Sequence, residues 1–328
     1  MKALQVKFHA KEASQINIDL IESQRPSLKE EECLIQVAAS GINPSDALAA
    51  MGYFNHASLP RIPGRDFSGL VIEGPAHLLG KKVWGTGGAA GISFDGTQTE
   101  YVAFPVQALS EAPQNIDLVT AGAQVLPYVT AYYSLAHRAK IQAGEAVLIV
   151  GALGQVGQAA MSIAHWKGCL PIALVRGQED VARAEKLGWK AVDSDDPNLT
   201  EKILAANQGK KIQVILNSLG NIYWQSFTQC LSEFGRIVTI GARENVRDAV
   251  VNLFELYRAN QEIIGVNTVS FDFAENATLL NELRPGFESG HLKPLDLAEK
   301  IYTPEEASEA YQAVMKGTEK RIVIKFKD

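Results

Sequence analysis

Cysteine is scarce in this chain: Cys33, Cys169 and Cys230 are the only three in 328 residues, and no two form a CxxC pair. An odd, scattered set excludes a disulfide framework and a cysteine-built metal lobe, and it suits a reducing compartment. Long apolar runs are missing too. No stretch approaches the roughly 20 residues of a membrane helix, so no membrane association is expected. Basic runs are also absent, and the formal net charge of −6 argues against nucleic acid as a partner. The six histidines, at 9, 56, 77, 137, 165 and 291, show no metal-ligand spacing. The opening residues Met1-Lys2-Ala3-Leu4-Gln5-Val6 break their apolar positions with polar ones. They read as a strand rather than a secretory leader, and a cytoplasmic location is the expectation.

What is present is apolar residue content, 46% by count, enough for two cores and hence two domains. One stretch organises the rest. The run Ala146-Val147-Leu148-Ile149-Val150 has no polar alternation, as a strand buried on both faces should. The turn Gly151-Ala152-Leu153-Gly154-Gln155-Val156-Gly157 follows, and then Ala159, Ala160, Met161, Ile163 and Ala164 at helical spacing. A second apolar strand, Pro171-Ile172-Ala173-Leu174-Val175, ends at Arg176. Strand, glycine turn, helix and strand make the mononucleotide half of a dinucleotide-binding fold. Gly151 allows the turn, Gly154 the approach of a diphosphate, and Gly157 close helix packing. The amides of Ala152, Gln155 and Val156 lie where such a turn faces phosphate.

The end of the second strand selects the cofactor. An acid there would hold a ribose 2′-hydroxyl, whereas a guanidinium forms forked, charge-assisted bonds to a 2′-phosphate. Arg176, with Arg183 one turn into the next helix, therefore points to NADPH; the plainer alternative is a solvated strand-end arginine. Asp193, Ser194, Asp195 and Asp196 oppose this reading, because acids near a phosphate weaken its binding unless they face away.

Residues 1–125 carry short strand candidates (33–37, 69–72, 82–84, 100–103) separated by glycine and proline, the pattern of a β-rich, barrel-like domain. The glycines of 85–91 read as a loop, with a phosphate cradle as the alternative. A helix is expected over 130–139. Strands then follow at 146–150, 171–175, 191–192, 212–216, 236–240 and 262–266, with helices at 156–167, 178–187, 199–206 and 221–232. That alternation predicts a doubly wound parallel sheet about six strands wide. The tail adds a helix near 273–284 and another after Thr303-Pro304-Glu305-Glu306, a capping sequence with proline at its first position. A last strand, 321–326, returns to the N-terminal domain.

Several ordered motifs carry a resemblance over nearly the whole length. They are Gly41-Ile42-Asn43-Pro44-Ser45-Asp46, Gly52-Tyr53-Phe54-Asn55, Ile62-Pro63-Gly64-Arg65-Asp66-Phe67-Ser68-Gly69, Thr130-Ala131-Tyr132, the 151–157 glycine turn and Asn217-Ser218-Leu219-Gly220. Together the chain resembles the zinc-free quinone oxidoreductase branch of the medium-chain dehydrogenase/reductases. The resemblance implies an α/β architecture: a GroES-like, β-rich barrel domain (1–125 and 267–328) and a Rossmann domain with a doubly wound parallel sheet (126–266). Zinc-dependent relatives place cysteine where this chain has Asn43, histidine at Arg65, an acid at Asp66 and a further cysteine near Leu126. Asparagine, arginine and leucine cannot supply a tetrahedral zinc site, so no metal is expected.

Without a Lewis acid, the expected reaction is NADPH-dependent hydride transfer to a small electrophilic substrate, a quinone or an α,β-unsaturated carbonyl. Two alternatives are a 2-enoyl-thioester reductase and a non-catalytic, crystallin-like NADPH-binding protein. The resemblance assigns catalytic positions to Tyr53, Asn43 and Thr130. Tyr53 is a proton donor or a packing aromatic, Asn43 a substrate contact or a turn residue, and Thr130 a nicotinamide contact or a helix-start residue. Asn217, Ser218 and Gly241 fall at strand ends on the cofactor side. Val266 and Thr268 resemble the nicotinamide amide contact. The apolar strand Ile263-Ile264-Gly265-Val266, last in the sheet, is expected to pair with its mate in a homodimer.

Overall fold

The computed structural model describes residues 1–242 and 244–327, and its backbone divides into two units, Met1–Val129 with Thr268–Asp328, and Thr130–Asn267. In chain order the first unit begins with β1 (Lys2–Gln5), β2 (Asp19–Glu22), β3 (Glu32–Ile42), α1 (Pro44–Ala50), β4 (Asp66–Glu73), β5 (Lys82–Thr86), β6 (Tyr101–Pro105) and β7 (Ser110–Glu111). Helix α2 (Leu118–Tyr132) follows and runs on into a π-helical turn, Tyr133–Arg138.

The second unit contains β8 (Ala146–Val150), α3 (Gln155–Trp166), β9 (Leu170–Val175), α4 (Gly177–Lys186), β10 (Lys190–Asp193), α5 (Leu199–Ala206), β11 (Ile212–Asn217), α6 (Trp224–Cys230), β12 (Leu231–Thr239), α7 (Leu253–Arg258) and β13 (Glu262–Gly265). All six strands are parallel, in the order β10-β9-β8-β11-β12-β13. This is the doubly wound Rossmann sheet, with its order reversing beside β8. Both faces of the central strands are covered, and all five residues of β8 are buried. Leu148, Ile172, Ile215, Phe227 and Ile237 share one core.

The tail, α8 (Phe273–Glu288), α9 (Ala307–Lys316) and β14 (Ile322–Lys325), belongs to the first unit. β14 pairs antiparallel with β3, Val323 opposite Gly41. The resulting sheet runs β14-β3-β4-β5-β7, with β6 also on β3. Leu4, Ile42, Ala47, Tyr311 and Ile324 fill one of its cores. This is the GroES-like β-rich domain.

Several elements differ from the sequence reading. The helix expected over 130–139 starts at Leu118, so Thr130 lies in its last turn and is no helix-start residue. Pro127 lies inside the helix. A proline inside a helix removes the N–H that would bond the carbonyl four residues back; here that carbonyl, on Ala123, accepts from Arg321 Nε instead. The helix expected over 221–232 is cut to α6, because Leu231 already belongs to β12. α8 continues past 284 through Pro285, and the segment after Thr303 begins as a 3₁₀ turn before α9. Helices α1 and α7 and the short strands β2 and β7 carried too few periodic residues to be seen. The glycines of 85–91 serve packing: a Cβ at Gly87 would enter the Phe273 ring, and one at Gly88 would meet the Val269 and Phe271 carbonyls.

Candidate active site

In the second unit, the candidate cofactor residues gather at the carboxyl ends of the strands. Gly151 directly follows β8 with φ +70°, a left-handed turn that a side chain disfavours. Its N–H donates to the Leu174 carbonyl at 3.0 Å, which ties the turn to β9. A Cβ on Gly157 would overlap the Gly151 carbonyl and Ala152 Cα, so only glycine lets α3 lie this close to the turn. Gly154 is the N-cap of α3, and the first-turn amides at Gln155, Val156 and Gly157 have no intrahelical carbonyl behind them. Ala152 is buried beneath the turn.

Ser218 Oγ donates to the Val150 carbonyl at 2.9 Å, and a Cβ on Gly151 would lie 3.2 Å from that oxygen. A Cβ on Gly241, past the end of β12, would lie 3.7 Å from the Ser218 carbonyl. Ser218 and Gly241 thus border the glycine turn. Asn217 is buried and spends its amide on its own turn, donating to the Gly220 carbonyl at 2.8 Å and accepting from the Leu219 N–H at 3.1 Å. Val266 donates to the Thr239 carbonyl at 3.0 Å just beyond β13, and the half-buried Thr130 accepts at its carbonyl from Ser134 Oγ at 2.7 Å. Thr268 is buried and belongs to the first unit.

At the end of β9, Arg176 is the N-cap of α4, and its Nε lies 3.4 Å from Asp195 Oδ2. Arg183 Nη1 pairs with Asp180 at 2.9 Å on the same helix.

In the first unit, Asn43 is the N-cap of α1 and only 2% exposed. Asp46 Oδ2 accepts from its backbone N–H at 2.8 Å, one half of a capping box. The Asn43 side-chain amide is fully engaged. Its Nδ2 donates to Asp66 Oδ2 at 3.0 Å and Asp46 Oδ2 at 3.2 Å, and its Oδ1 accepts from Arg321 Nη2 at 3.1 Å. Arg65 Nε pairs with Asp46 Oδ1 at 3.0 Å, and its Nη2 donates to Ser45 Oγ. Arg321 Nη2 reaches Asp66 Oδ2 at 3.4 Å, and neither side chain is exposed. Burial is the largest influence on both: it pushes the Asp66 carboxyl up, against the pull of Arg321, and the Arg321 guanidinium down. Desolvation therefore outweighs the attraction, and the fold holds the pair together rather than the reverse.

Asn43 is a buried hub of this network. Tyr53, three residues past the end of α1, is 60% exposed, its N–H bonded to the Leu48 carbonyl at 3.1 Å. Sequence reading missed Arg321. Its only local signal is a cation at the mouth of an apolar strand, which usually means a solvated end.

The profile of the "Alcohol dehydrogenase GroES-like domain" matches residues 29–114, and that of "Zinc-binding dehydrogenase" residues 156–283. A "zinc-type alcohol dehydrogenase-like protein" of Schizosaccharomyces pombe is 32% identical over 99% of this chain and 97% of its own. The "Quinone oxidoreductase" of Homo sapiens is 29% identical over 89% and 88% of the two chains. Among solved structures, an alcohol dehydrogenase superfamily protein from Novosphingobium aromaticivorans superposes with a TM-score of 0.86, at 25% identity and full coverage of both chains. The chain is a medium-chain dehydrogenase/reductase of the quinone oxidoreductase type. As such it is an oxidoreductase that uses a pyridine nucleotide.

The residues present fit that cofactor. A left-handed glycine, a helix start and a helix-to-turn contact that excludes any Cβ form the cradle a dinucleotide diphosphate requires. They do not fit a zinc ion. Where zinc-dependent members carry ligands, this chain has a saturated asparagine amide, the ion-paired guanidinium of Arg65, the carboxylate of Asp66 already paired with Arg321, and Leu126, whose backbone N–H itself donates to Asp66 Oδ2 at 3.3 Å. Asp66 Oδ1 has no hydrogen-bond partner, but the cation beside this carboxylate is already Arg321. Among the described residues, no group of three His, Cys, Asp or Glu side chains could hold a metal, and no helix is long and apolar enough to cross a membrane.

Removing Arg321 would leave the buried Asp66 carboxylate without its cation and take a donor from the Asn43 amide oxygen and the Ala123 carbonyl. Arg321→Ala should therefore cost about 3–5 kcal/mol of stability. Urea unfolding checks this, and a loss below about 1 kcal/mol would mean that water replaces the guanidinium.

Proposed function

We propose that this chain is an NADPH-dependent reductase that delivers hydride, without a metal, to an already electrophilic acceptor: a quinone or an α,β-unsaturated carbonyl. The observation that carries this reading is the ion-paired network of Asn43, Asp46, Arg65, Asp66 and Arg321. Its donors and charges are spent on one another, so no side chain there is left to polarise an alcohol through a metal. Bound at the glycine turn, the nicotinamide cofactor supplies the hydride.

The protein's share is holding and orienting. The α3 amides at Gln155, Val156 and Gly157 take the diphosphate, with Gly151, Ala152 and Gly154 shaping the loop beneath it. Ser218 and Gly241 border it, and Asn217 keeps its turn in shape. Arg176, with Arg183 as a weaker second cation, takes the 2′-phosphate. Thr130, Val266 and Thr268 are assigned to the nicotinamide by resemblance. Tyr53 is assigned to deliver a proton or hold the developing enolate oxygen. Its exposure supports this over a packing role, since little of the ring is spent on packing. Asn43 is reassigned from substrate contact to positioning, through the α1 cap.

The chain is further proposed to form a homodimer through β13. That strand is the outer member of the six-stranded sheet, and Ile263 on it is 43% exposed. An apolar edge with unpaired backbone groups invites a second strand.

Three measurements test these proposals. Elemental analysis of purified, tag-free protein should find no stoichiometric zinc; about one zinc per chain, removable only with loss of activity, would overturn the metal-free reading. Light scattering at micromolar concentration should give the mass of two chains, and a monomer would count against pairing at β13. Tyr53→Phe removes only the hydroxyl. With an enone or enoyl thioester, turnover should fall about a hundredfold with KM little changed, because a positioned acid contributes roughly 10²–10⁴-fold. With a quinone, whose reduced form is a stable phenolate, the fall should stay under about tenfold. Unchanged turnover with every active acceptor would return Tyr53 to a packing role.

A further inference from the structure

The cation assigned to the 2′-phosphate shares its place with two acids. Arg176 is 82% exposed at its side chain, and its Nε lies 3.4 Å from Asp195 Oδ2; the Asp195 side chain is 53% exposed. Asp193 stands behind them. Its Oδ1 accepts from the Gly177 N–H at 2.7 Å and the Asp195 N–H at 3.0 Å, and its Oδ2 accepts from Gln178 Nε2 at 2.8 Å. The Asp195 N–H, before the other donors, holds this carboxyl below the usual carboxylate range, so it is a fixed anion at neutral pH. Asp196 is engaged elsewhere, accepting from the Asn198 N–H at 2.8 Å with Lys202 Nζ 3.8 Å away. Arg183 is already paired with Asp180. The end of β9 thus presents one exposed guanidinium and two carboxylates.

We propose that Asp195, backed by Asp193, is an internal competitor for Arg176 that limits how strongly the chain prefers the 2′-phosphorylated dinucleotide. The inference rests on the NADPH reading above and names a residue that sets its strength. A phosphate must displace or share Asp195 at the guanidinium, and it meets the repulsion of both acids as it does so. A dinucleotide with a free 2′-hydroxyl carries no charge there and meets neither effect. The acids therefore narrow the gap between NADPH and NADH without helping to hold the common part of either.

The interaction is exposed, so its size is modest. At about 6 Å in water-like surroundings, a carboxylate and a doubly charged phosphate repel enough for roughly a tenfold effect, and salt reduces it. Binding of NADPH and of NADH is measured by fluorescence titration at low and at high salt, for the native chain, Asp195→Asn, Arg176→Ala and the double variant. Asp195→Asn should bind NADPH about three- to tenfold more tightly, bind NADH unchanged, and lose much of its gain at high salt. In the Arg176→Ala background the same change should help less, since competition has gone and only repulsion remains. If Arg176→Ala selectively weakens NADPH while Asp195→Asn leaves NADPH binding unchanged or weaker, Asp195 is no competitor and the inference fails alone. If Arg176→Ala weakens both dinucleotides equally, the phosphate assignment itself fails, and the inference with it.

Discussion

A proline in a helix leaves a carbonyl without its N–H, and a carboxylate shut away from water needs a cation. Arg321 answers both demands in this protein. Its Nε takes the Ala123 carbonyl freed by Pro127, and its Nη2 takes the Asp66 carboxylate and the Asn43 amide oxygen. Its position is set by the β14 pairing on β3, so the last strand of the chain holds the region around α1 and β4 in register. Asn43 then hands the constraint to Asp46, and Asp46 to Arg65. Burial opposes the ionised form of both Asp66 and Arg321.

The two units solve opposite electrostatic problems. In the first, the buried charges of Asp46, Arg65, Asp66 and Arg321 are paired with one another, and the Tyr53 phenol past the end of α1 is exposed. In the second, the cradle at Gly151–Gly157 relies on backbone amides and on the absence of side chains. That arrangement suits a diphosphate of any dinucleotide. The Arg176–Asp195 pair at the end of β9 is exposed instead, and solvent weakens every interaction there.

Much of the second unit was legible because its signals are local. A buried parallel strand is apolar at every position, a helix repeats its apolar residues within a few positions, and a glycine turn needs glycine wherever φ is positive. β8, α3, β9, α5 and β11 accordingly lie within a residue of where their patterns place them. The misread bounds are of another kind: α2 starts well before the expected span, and α6 ends early because Leu231 already belongs to β12. The partners of the Asn43 side chain, Asp66 and Arg321, lie far along the chain.

By itself, then, the sequence determined the layers, the glycine cradle and the asparagine, arginine and leucine at three of the family's ligand positions. Each is a property of residue type at fixed short spacing. Tertiary structure alone decided that Arg321 meets Asp66 across 255 residues, that Asn43 is saturated, and that Asp195 rather than Asp196 faces Arg176. A side chain's partners depend on which distant segments fold against it, and no local periodicity encodes that.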